Sequence, residues 1–359
     1  MIDLLRQLPK SELHVHVRGA IPIGVFTHLL NKYPISDVLA GISDEYKVKL
    51  NGYPNMRPFL SDRHTPWTVE DAAKIFEFRT FEQFLDTFNF TGFFLREVAD
   101  MRALVLGVVE SLKAQNIIYA EITISIKEYL RQHITLEDLL TCLEEASHVP
   151  GIRVQWIVDL VRDFGVESGL TLLHQILELR PTSIVGITLG GSEHEYPPAQ
   201  FIEIYKLARD NALHLTVHAG EALGPESVWD AVRVLGVERI GHGVRAIEDP
   251  ALVAYLAEKE IPLEVCPTSN LRTCIYPSYA AHPVLSLYEA GVPVSINSDD
   301  PTFFHTTLAN EYEQVYNMGA NEAAIYSMLR NGFAHAFLDK REISVYQSQL
   351  DAEWRRIRG

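Results

Sequence analysis

The chain has 359 residues, of which 47% are hydrophobic and 22% are charged, and its formal net charge at neutral pH is −16. This acidity argues against non-specific nucleic-acid binding, because the phosphate backbone carries charge of the same sign. The apolar content is sufficient for a large core. Three widely spaced cysteines without a CxxC pair argue against a disulfide framework and favour a reducing compartment.

The N-terminal segment lacks the positive start, apolar run and small-residue cleavage site of a secretory signal. Apolar stretches without charge stay shorter than the roughly 18 residues that a membrane span needs. We therefore expect a cytoplasmic protein with no membrane partner. Low-complexity tracts, charge blocks and repeats are also missing from the sequence, so residues 1–359 are expected to form one domain.

Eight short apolar runs, each ending in polar residues and followed by a helical pattern, recur along the chain. They cover residues 12–19, 116–125, 153–163, 183–191, 214–221, 239–243, 262–270 and 293–301. This alternation predicts a parallel sheet, and eight strands is the number that closes a (β/α)8 TIM-type barrel. Helical patterns between the later runs, several opened by Pro, cover 198–210, 225–235, 250–258 and 282–290. An open doubly wound sheet stays possible, although HVHVRGA is not the Gly-rich loop that usually follows its first strand.

Residues from about 21 to 115 interrupt the alternation with extra helices after the first strand, and they contain the stretch FEFRTFEQFLDTFNFTGFF. One interpretation is that these phenylalanines pack the inserted helices against the barrel. Another is that part of the insertion, including Phe59, Leu60 and the aromatic residues of 76–94, closes over an apolar pocket as a lid.

Polar residues gather at the C-terminal ends of the predicted strands, where α/β barrels carry their active sites. His14 and His16 lie two apart on the first strand, so their side chains point to the same face. His218 lies in the fifth run and Asp299 in the eighth. Three imidazoles and one carboxylate suit zinc with an open position for water, whereas calcium or magnesium prefers oxygen ligands. The sequence therefore predicts one zinc ion on these four residues.

A metal-activated water needs a general acid or base beside it. Glu221, three residues after His218 in HAGE, is the candidate, unless it only orients a ligand histidine. His242, between the glycines of GHG, is placed to orient the attacking hydroxide, unless it is a buried turn residue. Asp300 directly follows Asp299, so one carboxylate can bind the metal while the other hydrogen-bonds a ring nitrogen of the substrate.

The ordered segments LHVHVRGA, GITLGGSE, VHAGE, RIGHG, EVCPTSN and SINSDDP resemble the adenosine deaminase family of the amidohydrolase superfamily over about residues 8–345. The resemblance implies zinc on the four residues named above. It also implies that Glu221 protonates purine N1, His242 positions the hydroxide and Asp300 contacts N7. The backbone of Gly191 would contact N3. Hydroxide would add at C6 of a small-molecule purine nucleoside, and ammonia would leave.

Two positions depart from the family pattern. Two residues after the second zinc histidine, the family typically has an acidic residue that contacts the ribose 5′-hydroxyl, whereas this chain has Arg18. Either an internal carboxylate neutralises Arg18, or it binds an anionic group on the 5′ side of the substrate, helped by Arg162 in VDLVRD. Thr123 stands where the family usually has Arg, with an effect that the sequence does not explain.

An anionic 5′ group fits the bacterial aminodeoxyfutalosine deaminases of menaquinone synthesis, which this sequence also resembles in GPESVWDAVRVLGVERIGHG and EVCPTSNLRT. Plain adenosine and AMP or N6-methyl-AMP are alternatives. Free adenine is disfavoured, because adenine deaminases usually carry bulkier polar residues in place of Gly190 and Gly191. A catalytically silent zinc-binding barrel is a different class, against which the intact acid/base set argues. A two-metal hydrolase of this superfamily would carry Lys on strand four, and 183–191 has none.

Overall fold

The computed structural model describes residues 1–130 and 134–358, and its strands form a parallel barrel. The strands are β1 Lys10–His16, β2 Ile117–Ile124, β3 Arg153–Asp159, β4 Ile184–Thr188, β5 His214–Leu215, β6 His218–Ala219, β7 Ile240–His242, β8 Leu263–Val265 and β9 Val294–Ile296. Parallel ladders join β1 to β5 in order and β6 to β9 in order. The segments β5 and β6 occupy one position, since Thr216 N–H donates to the Ile187 carbonyl at 3.0 Å and Gly241 N–H to the Val217 carbonyl at 2.8 Å.

The barrel closes where β1 meets the residues that follow β9. Val15 and Asp299 form a parallel bridge. The N–H of His16 donates to the carbonyl of Asp299, and the N–H of Asp299 to the carbonyl of His14, both at 2.9 Å. Eight strand positions and this seam confirm the predicted TIM-type barrel.

Several strands end earlier than the apolar runs that predict them. The run 153–163 forms strand only to Asp159, and Arg162–Phe164 is a 3-10 turn. The run 262–270 forms strand only to Val265, because Pro267 begins a helix at the next turn. Proline favours the first helical position, where its missing N–H costs no hydrogen bond. The polar residues at the strand ends therefore lie on loops and first helical turns at one mouth of the barrel.

Helices surround the barrel. Those outside the insertion are Ile2–Gln7, Ile126–Leu130, Leu136–Ser147, Val166–Leu179, Ile202–Asp210, Pro225–Asp230, the π-helix Ala231–Leu235, Pro250–Glu258, Pro267–Arg272, Val284–Glu289, Pro301–Phe304, Leu308–Asn317, Glu322–Ala334 and Lys340–Arg358. The segments predicted at 198–210, 225–235, 250–258 and 282–290 are thus helical, with differences at their ends. Among the described helices, none is long and apolar enough to cross a membrane.

Extra helices follow β1, as predicted. They are Ile23–Lys32, Ile35–Leu39, Asp44–Asn51, Val69–Ala73, Phe81–Gly92 and Val98–Ala114. The rings of Phe76, Phe84 and Phe88 pack around Phe303, with centroid distances of 4.8, 5.7 and 5.3 Å. These ring contacts agree with the interpretation that the phenylalanines pack the inserted helices against the barrel. Since Phe303 lies four residues after Asp299, they also hold the insertion against the loop that carries that carboxylate. Whether the insertion closes as a lid stays a prediction.

Candidate active site

The seam of the barrel brings His14, His16 and Asp299 together. The two histidines alternate on β1 and share its inner face, and the backbone hydrogen bonds across the seam place Asp299 beside them. Asp299 has a positive φ of 62°, a conformation that a non-glycine residue adopts only when the surrounding structure imposes it. Its side chain is therefore fixed by the closure of the barrel.

The side-chain atoms of the four predicted ligands converge. His16 Nε2 lies 3.2 Å from His218 Nε2 and 3.4 Å from Asp299 Oδ1. His14 Nε2 lies 3.7 Å from the same Oδ1, is buried, and has no hydrogen-bond partner among the described residues. Ligand atoms around a tetrahedral zinc ion lie about 3.3 Å apart, given zinc–nitrogen bonds of about 2.0–2.1 Å. The donor set thus fits such an ion.

Protonation also suits metal binding at two of the histidines. Burial lowers the pKa of His16, and it lowers the pKa of His218 well below the usual value for histidine. Both rings are therefore neutral near pH 7 and keep a lone pair for a metal. Charged histidines at this spacing would instead repel one another.

Two further residues lie close enough to be considered as ligands. His242 groups with His14 and His218, and Cys266 groups with His14 and Asp299, with ligand atoms within 4.8 Å of one another in each group. Cys266 Sγ donates to the carbonyl of Glu264 at 3.7 Å, and burial raises the pKa of its thiol well above the usual value. His242 Nε2 lies 3.6 Å from a carboxylate oxygen of Glu221 and 3.9 Å from Asp299 Oδ2, so this ring adjoins both the acid and the cluster.

A buried ion network orients His14. Its Nδ1 lies 2.9 Å from Glu264 Oε2, and Arg239 Nε donates to Glu264 Oε1 at 2.6 Å. Arg239 also pairs with Glu121, and its guanidinium stacks on Phe337 at 3.6 Å. Burial alone would lower the pKa of His14, but the hydrogen bond to Glu264 raises it above the usual value. A carboxylate on Nδ1 fixes the ring so that Nε2 faces the cluster.

A hydrogen-bond relay fixes the tautomer of His242. The N–H of Val284 donates to His282 Nδ1 at 3.2 Å, so Nε2 of that ring carries the proton and donates to Asn270 Oδ1 at 3.0 Å. The amide nitrogen of Asn270 must then donate to His242 Nδ1, at 3.2 Å. Burial lowers the pKa of His242 to about 3, so the ring is neutral and its one N–H is on Nε2. That N–H points toward Glu221 and the cluster.

Glu221 has the properties of a general acid. Burial, reinforced by the charge of Asp299, raises its pKa to about 8, so it carries a proton near neutral pH. Its side chain keeps 24% of its surface exposed, which leaves it open to the mouth. The loop around it is held by Glu193, whose carboxylate accepts the N–H groups of Gly220, Ala222 and Leu223 at 2.7–2.8 Å.

Asp300 lies beside the cluster with a free oxygen. Its Oδ1 is buried and has no hydrogen-bond partner among the described residues. Burial and the adjacent Asp299 raise the pKa of Asp300 well above its usual value. A Cβ on Gly19 would lie 1.7 Å from that oxygen, so a glycine is required for this approach.

Gly191 follows β4 with a φ of 93°, and a Cβ there would lie 2.0 Å from Asp163 Oδ2. The structure therefore explains why this residue is glycine. The backbone contact of Gly191 with a substrate stays a prediction.

Arg18 has the internal carboxylate that the sequence analysis left as one alternative. Its Nη1 lies 2.6 Å from Glu128 Oε2, and the guanidinium stacks on the ring of Phe88 at 3.9 Å. The Arg18 side chain is only 6% exposed. The Nε and Nη2 atoms of Arg18 are buried and have no hydrogen-bond partner among the described residues, so this ion pair uses only part of the guanidinium.

Two residues that were predicted to contact the substrate make other contacts in the structure. Arg162 is fully buried and donates to the backbone carbonyls of Tyr196, Leu189 and His218, which leaves its guanidinium occupied by the scaffold. These contacts argue against the prediction that Arg162 helps to bind an anion. Phe59 is 1% exposed and stacks on Trp67 at 4.6 Å, so it packs within the insertion.

The residues that hold the site residues in place were not predicted from the sequence. Ser269 donates to Asp299 Oδ2 at 2.6 Å and leaves Oδ1 to face the histidines. Glu193, Glu264 and Asn270 act in the same indirect way. All four lie inside the segments GITLGGSE and EVCPTSN, so their proximity to the site could have been predicted from the sequence. Their hydrogen-bond partners could not.

A parallel barrel with a histidine–carboxylate cluster and a protonated glutamate at its mouth defines a hydrolytic enzyme of the amidohydrolase type. Comparison with known proteins agrees. The model of the family described as adenosine deaminase matches residues 60–353. The chain belongs to the adenosine deaminase family.

Individual relatives carry different names. The chain is 33% identical over 339 residues to the aminodeoxyfutalosine deaminase of Streptomyces coelicolor, covering 92% of this chain and 81% of the relative. It is also 33% identical over 338 residues to the adenine deaminase of Agrobacterium fabrum, covering 93% and 95%. Among solved structures, the adenine deaminase from Arthrobacter aurescens superposes with a TM-score of 0.81 at 25% identity, covering 97% of this chain and 99% of that one. Identity alone does not separate the two kinds of relative.

Proposed function

We propose that this chain hydrolytically deaminates an adenine-type nucleoside at C6, with one zinc ion held by His14, His16, His218 and Asp299. The observation that carries the proposal is the placement of the Glu221 carboxyl group at the mouth beside this cluster, 3.6 Å from His242 Nε2. A structural metal site needs no such acid, so the placement favours catalysis over a silent zinc-binding barrel. When bound, such an ion lowers the pKa of a water molecule toward 7 and thereby supplies hydroxide.

The residues around the cluster supply the remaining chemistry. Glu221 donates its proton to a ring nitrogen of the purine, which makes C6 more electrophilic. The Nε2–H of His242 donates a hydrogen bond to the nucleophile and holds it below C6. Asp300, whose Oδ1 lacks a partner within the described chain, donates a hydrogen bond to a second ring nitrogen, because its raised pKa lets it keep a proton. The C6–O bond forms and the C6–N bond breaks, while the proton of the added hydroxyl passes to the amino group, which leaves as ammonia. Glu221 regains the proton that the water molecule lost when it became hydroxide.

The finer proposal concerns the 5′ side of the substrate. We infer a nucleoside with an anionic 5′ substituent, of the kind that the name of the Streptomyces relative indicates. Free adenine is the second candidate, because the Agrobacterium adenine deaminase is as similar to this chain as the Streptomyces relative, although Gly190 and Gly191 disfavour it.

Ammonia release by the zinc-loaded protein tests the proposal. The substrates are adenine, adenosine, AMP, N6-methyl-AMP and aminodeoxyfutalosine, each compared by kcat/KM. We expect turnover of a nucleoside and a higher kcat/KM for an anionic one. Turnover of adenine alone would replace the nucleoside with the free base. If none of these compounds is deaminated by protein with zinc bound, the proposal is wrong.

A further inference from the structure

A cavity of about 570 Å³ opens at the mouth of the barrel, between the insertion and the loops that follow β8 and β9. We propose that it binds the anionic group of the substrate, a carboxylate or a phosphate, while the purine lies at Glu221. The inference rests on the proposed function and gives it a location. That location differs from Arg18, whose Nη1 is paired with Glu128.

The charge of the cavity wall supports an anionic occupant. Lys74, Arg79 and Arg272 line it, against the single carboxylate of Glu77. Arg79 is exposed, and among the described residues no ion-pair partner faces its guanidinium; Lys74 has a long contact of 3.4 Å with Asp71. In a chain with a net charge of −16, a concave surface with this excess of cations is a local reversal of sign. Such a surface attracts anions into the mouth.

Arg272 is held rigidly at the wall. Its guanidinium stacks on Phe78 at 4.4 Å, and its Nη2 donates to the Phe78 carbonyl at 3.2 Å. Its Nε is buried and lacks a hydrogen-bond partner among the residues that the structure describes. A planar guanidinium whose orientation is fixed before binding loses little entropy when it pairs with a carboxylate or phosphate.

The cavity adjoins the candidate active site through one short helix. Pro267–Arg272 carries Ser269, which bonds Asp299, and Arg272 lies three residues further along. Residues three apart share a helix face, and the rise of about 1.5 Å per residue puts Arg272 about 4.5 Å further along the axis than Ser269. On the other side, His305 donates to the Phe76 carbonyl at 3.1 Å and ties the insertion to the loop after Asp300. The walls of the cavity are thus connected to the loops that carry Asp299 and Asp300, and the proposal places the 5′ group there when the base lies at the cluster.

The test compares anionic and neutral substrates in the same variants. For the zinc-loaded full chain, kcat/KM is measured with adenosine, AMP and adenosine-5′-carboxylate, and the ratio of anionic to neutral substrate is taken. Arg79→Gln and Arg272→Gln should each lower this ratio about tenfold, since each removes a charge-assisted hydrogen bond to the anionic group. Arg272→Lys retains the charge and should lower it less than Arg272→Gln.

Lys259→Gln is the matched control, because Lys259 is exposed and lies shortly before β8, at the opposite end of the barrel. It removes the same charge and should change the ratio by less than about twofold. An unchanged ratio in Arg79→Gln would overturn the inference even if Arg272 variants fail to fold. Binding of inorganic phosphate to the wild type and to Arg79→Gln is measured as well. If phosphate binds more weakly to the variant while the kinetic ratio is unchanged, the cavity holds a free anion and not the substrate, and the inference is overturned.

Failure of the proposed function can be distinguished from failure of the inferred anion site. If the wild type deaminates none of these compounds, titration calorimetry of the zinc-loaded protein with AMP and with adenosine replaces the kinetic ratio. Weaker AMP binding in Arg79→Gln, with adenosine binding changed to a smaller extent, would support the cavity as an anion site without the reaction. Equal AMP binding in both proteins would refute it.

Discussion

Replacing Glu264 by Gln should weaken zinc binding through a residue that does not touch the metal. In the wild type, Glu264 Oε2 lies 2.9 Å from His14 Nδ1 and Oε1 accepts from Arg239 at 2.6 Å. The charge of Arg239 holds the pKa of this carboxyl below its usual value although burial opposes it, so the acceptor is fully ionised. An amide accepts more weakly, and its NH2 group can turn toward the ring.

The magnitude follows from the position of this contact. Loss of the partner on the second nitrogen of a ligand histidine typically lowers metal affinity about 10–100-fold. At about 1.4 kcal/mol per factor of ten, this is about 1.4–2.8 kcal/mol. Stability should fall as well, because one of the two buried ion pairs of Arg239 is lost, by about 1–3 kcal/mol. The cost stays moderate because Arg239 keeps Glu121 as a counter-ion.

Glu121→Gln is the matched control. Glu121 is as buried as Glu264 and pairs with the same arginine, but its other contacts are Tyr119 and the Phe337 N–H, and it does not touch a predicted ligand. Both variants should lose similar free energy of unfolding in denaturant titrations of the metal-free proteins. Only Glu264→Gln should lose zinc affinity, measured by competition with a chromophoric chelator. Equal zinc affinity in the two variants would refute the orienting role of Glu264.

Three further predictions concern the acid, the relay and the metal. Glu221→Gln should lower kcat about 10²–10⁴-fold at unchanged zinc content. Burial raises the pKa of Glu221 to about 8 in the metal-free protein, and a bound dication lowers it from there. Because the acid form exists below this pKa and is lost above it, kcat/KM of the zinc-loaded wild type should fall as the pH rises toward 8. An alkaline limb that persists in the residual activity of Glu221→Gln would contradict this assignment. Asn270→Leu should lower kcat with little change in KM, since the tautomer of His242 is no longer fixed. An unchanged kcat would show that the hydrogen-bond relay does not contribute to catalysis. Removal of zinc should lower the melting temperature, because an ion at 1,000 times its Kd stabilises the folded state by about 4.1 kcal/mol; identical melting curves with and without zinc would argue against the site.

Much of the barrel was predictable because it depends on local patterns. The apolar runs, the prolines that begin helices and the alternate histidines of β1 each leave a periodic mark in the sequence. The ends of the strands were less predictable, since Pro267 begins a helix inside an apolar run. The short segments β5 and β6 also depend on hydrogen bonds to neighbouring strands rather than on residue type.

The site was predictable only in part, for a physical reason. A metal cluster needs particular residue types at particular strand ends, and these are visible in the sequence. The partners of a buried charge are not, because a guanidinium can be satisfied by a distant carboxylate or by backbone carbonyls. Arg18 and Arg162 show the two outcomes: one meets Glu128, and the other holds three carbonyl oxygens.

The seam between β1 and Asp299 has a consequence for how the protein is made. Val15 and Asp299 are 284 positions apart (299 − 15), so β1 leaves the ribosome long before its last neighbour exists. Contacts of such separation form late and slow the folding of a chain. His14 and His16 therefore lack Asp299 during most of translation. The zinc cluster can assemble only after nearly the whole barrel has been translated. A chain that stops before residue 299 lacks both the seam and the fourth ligand.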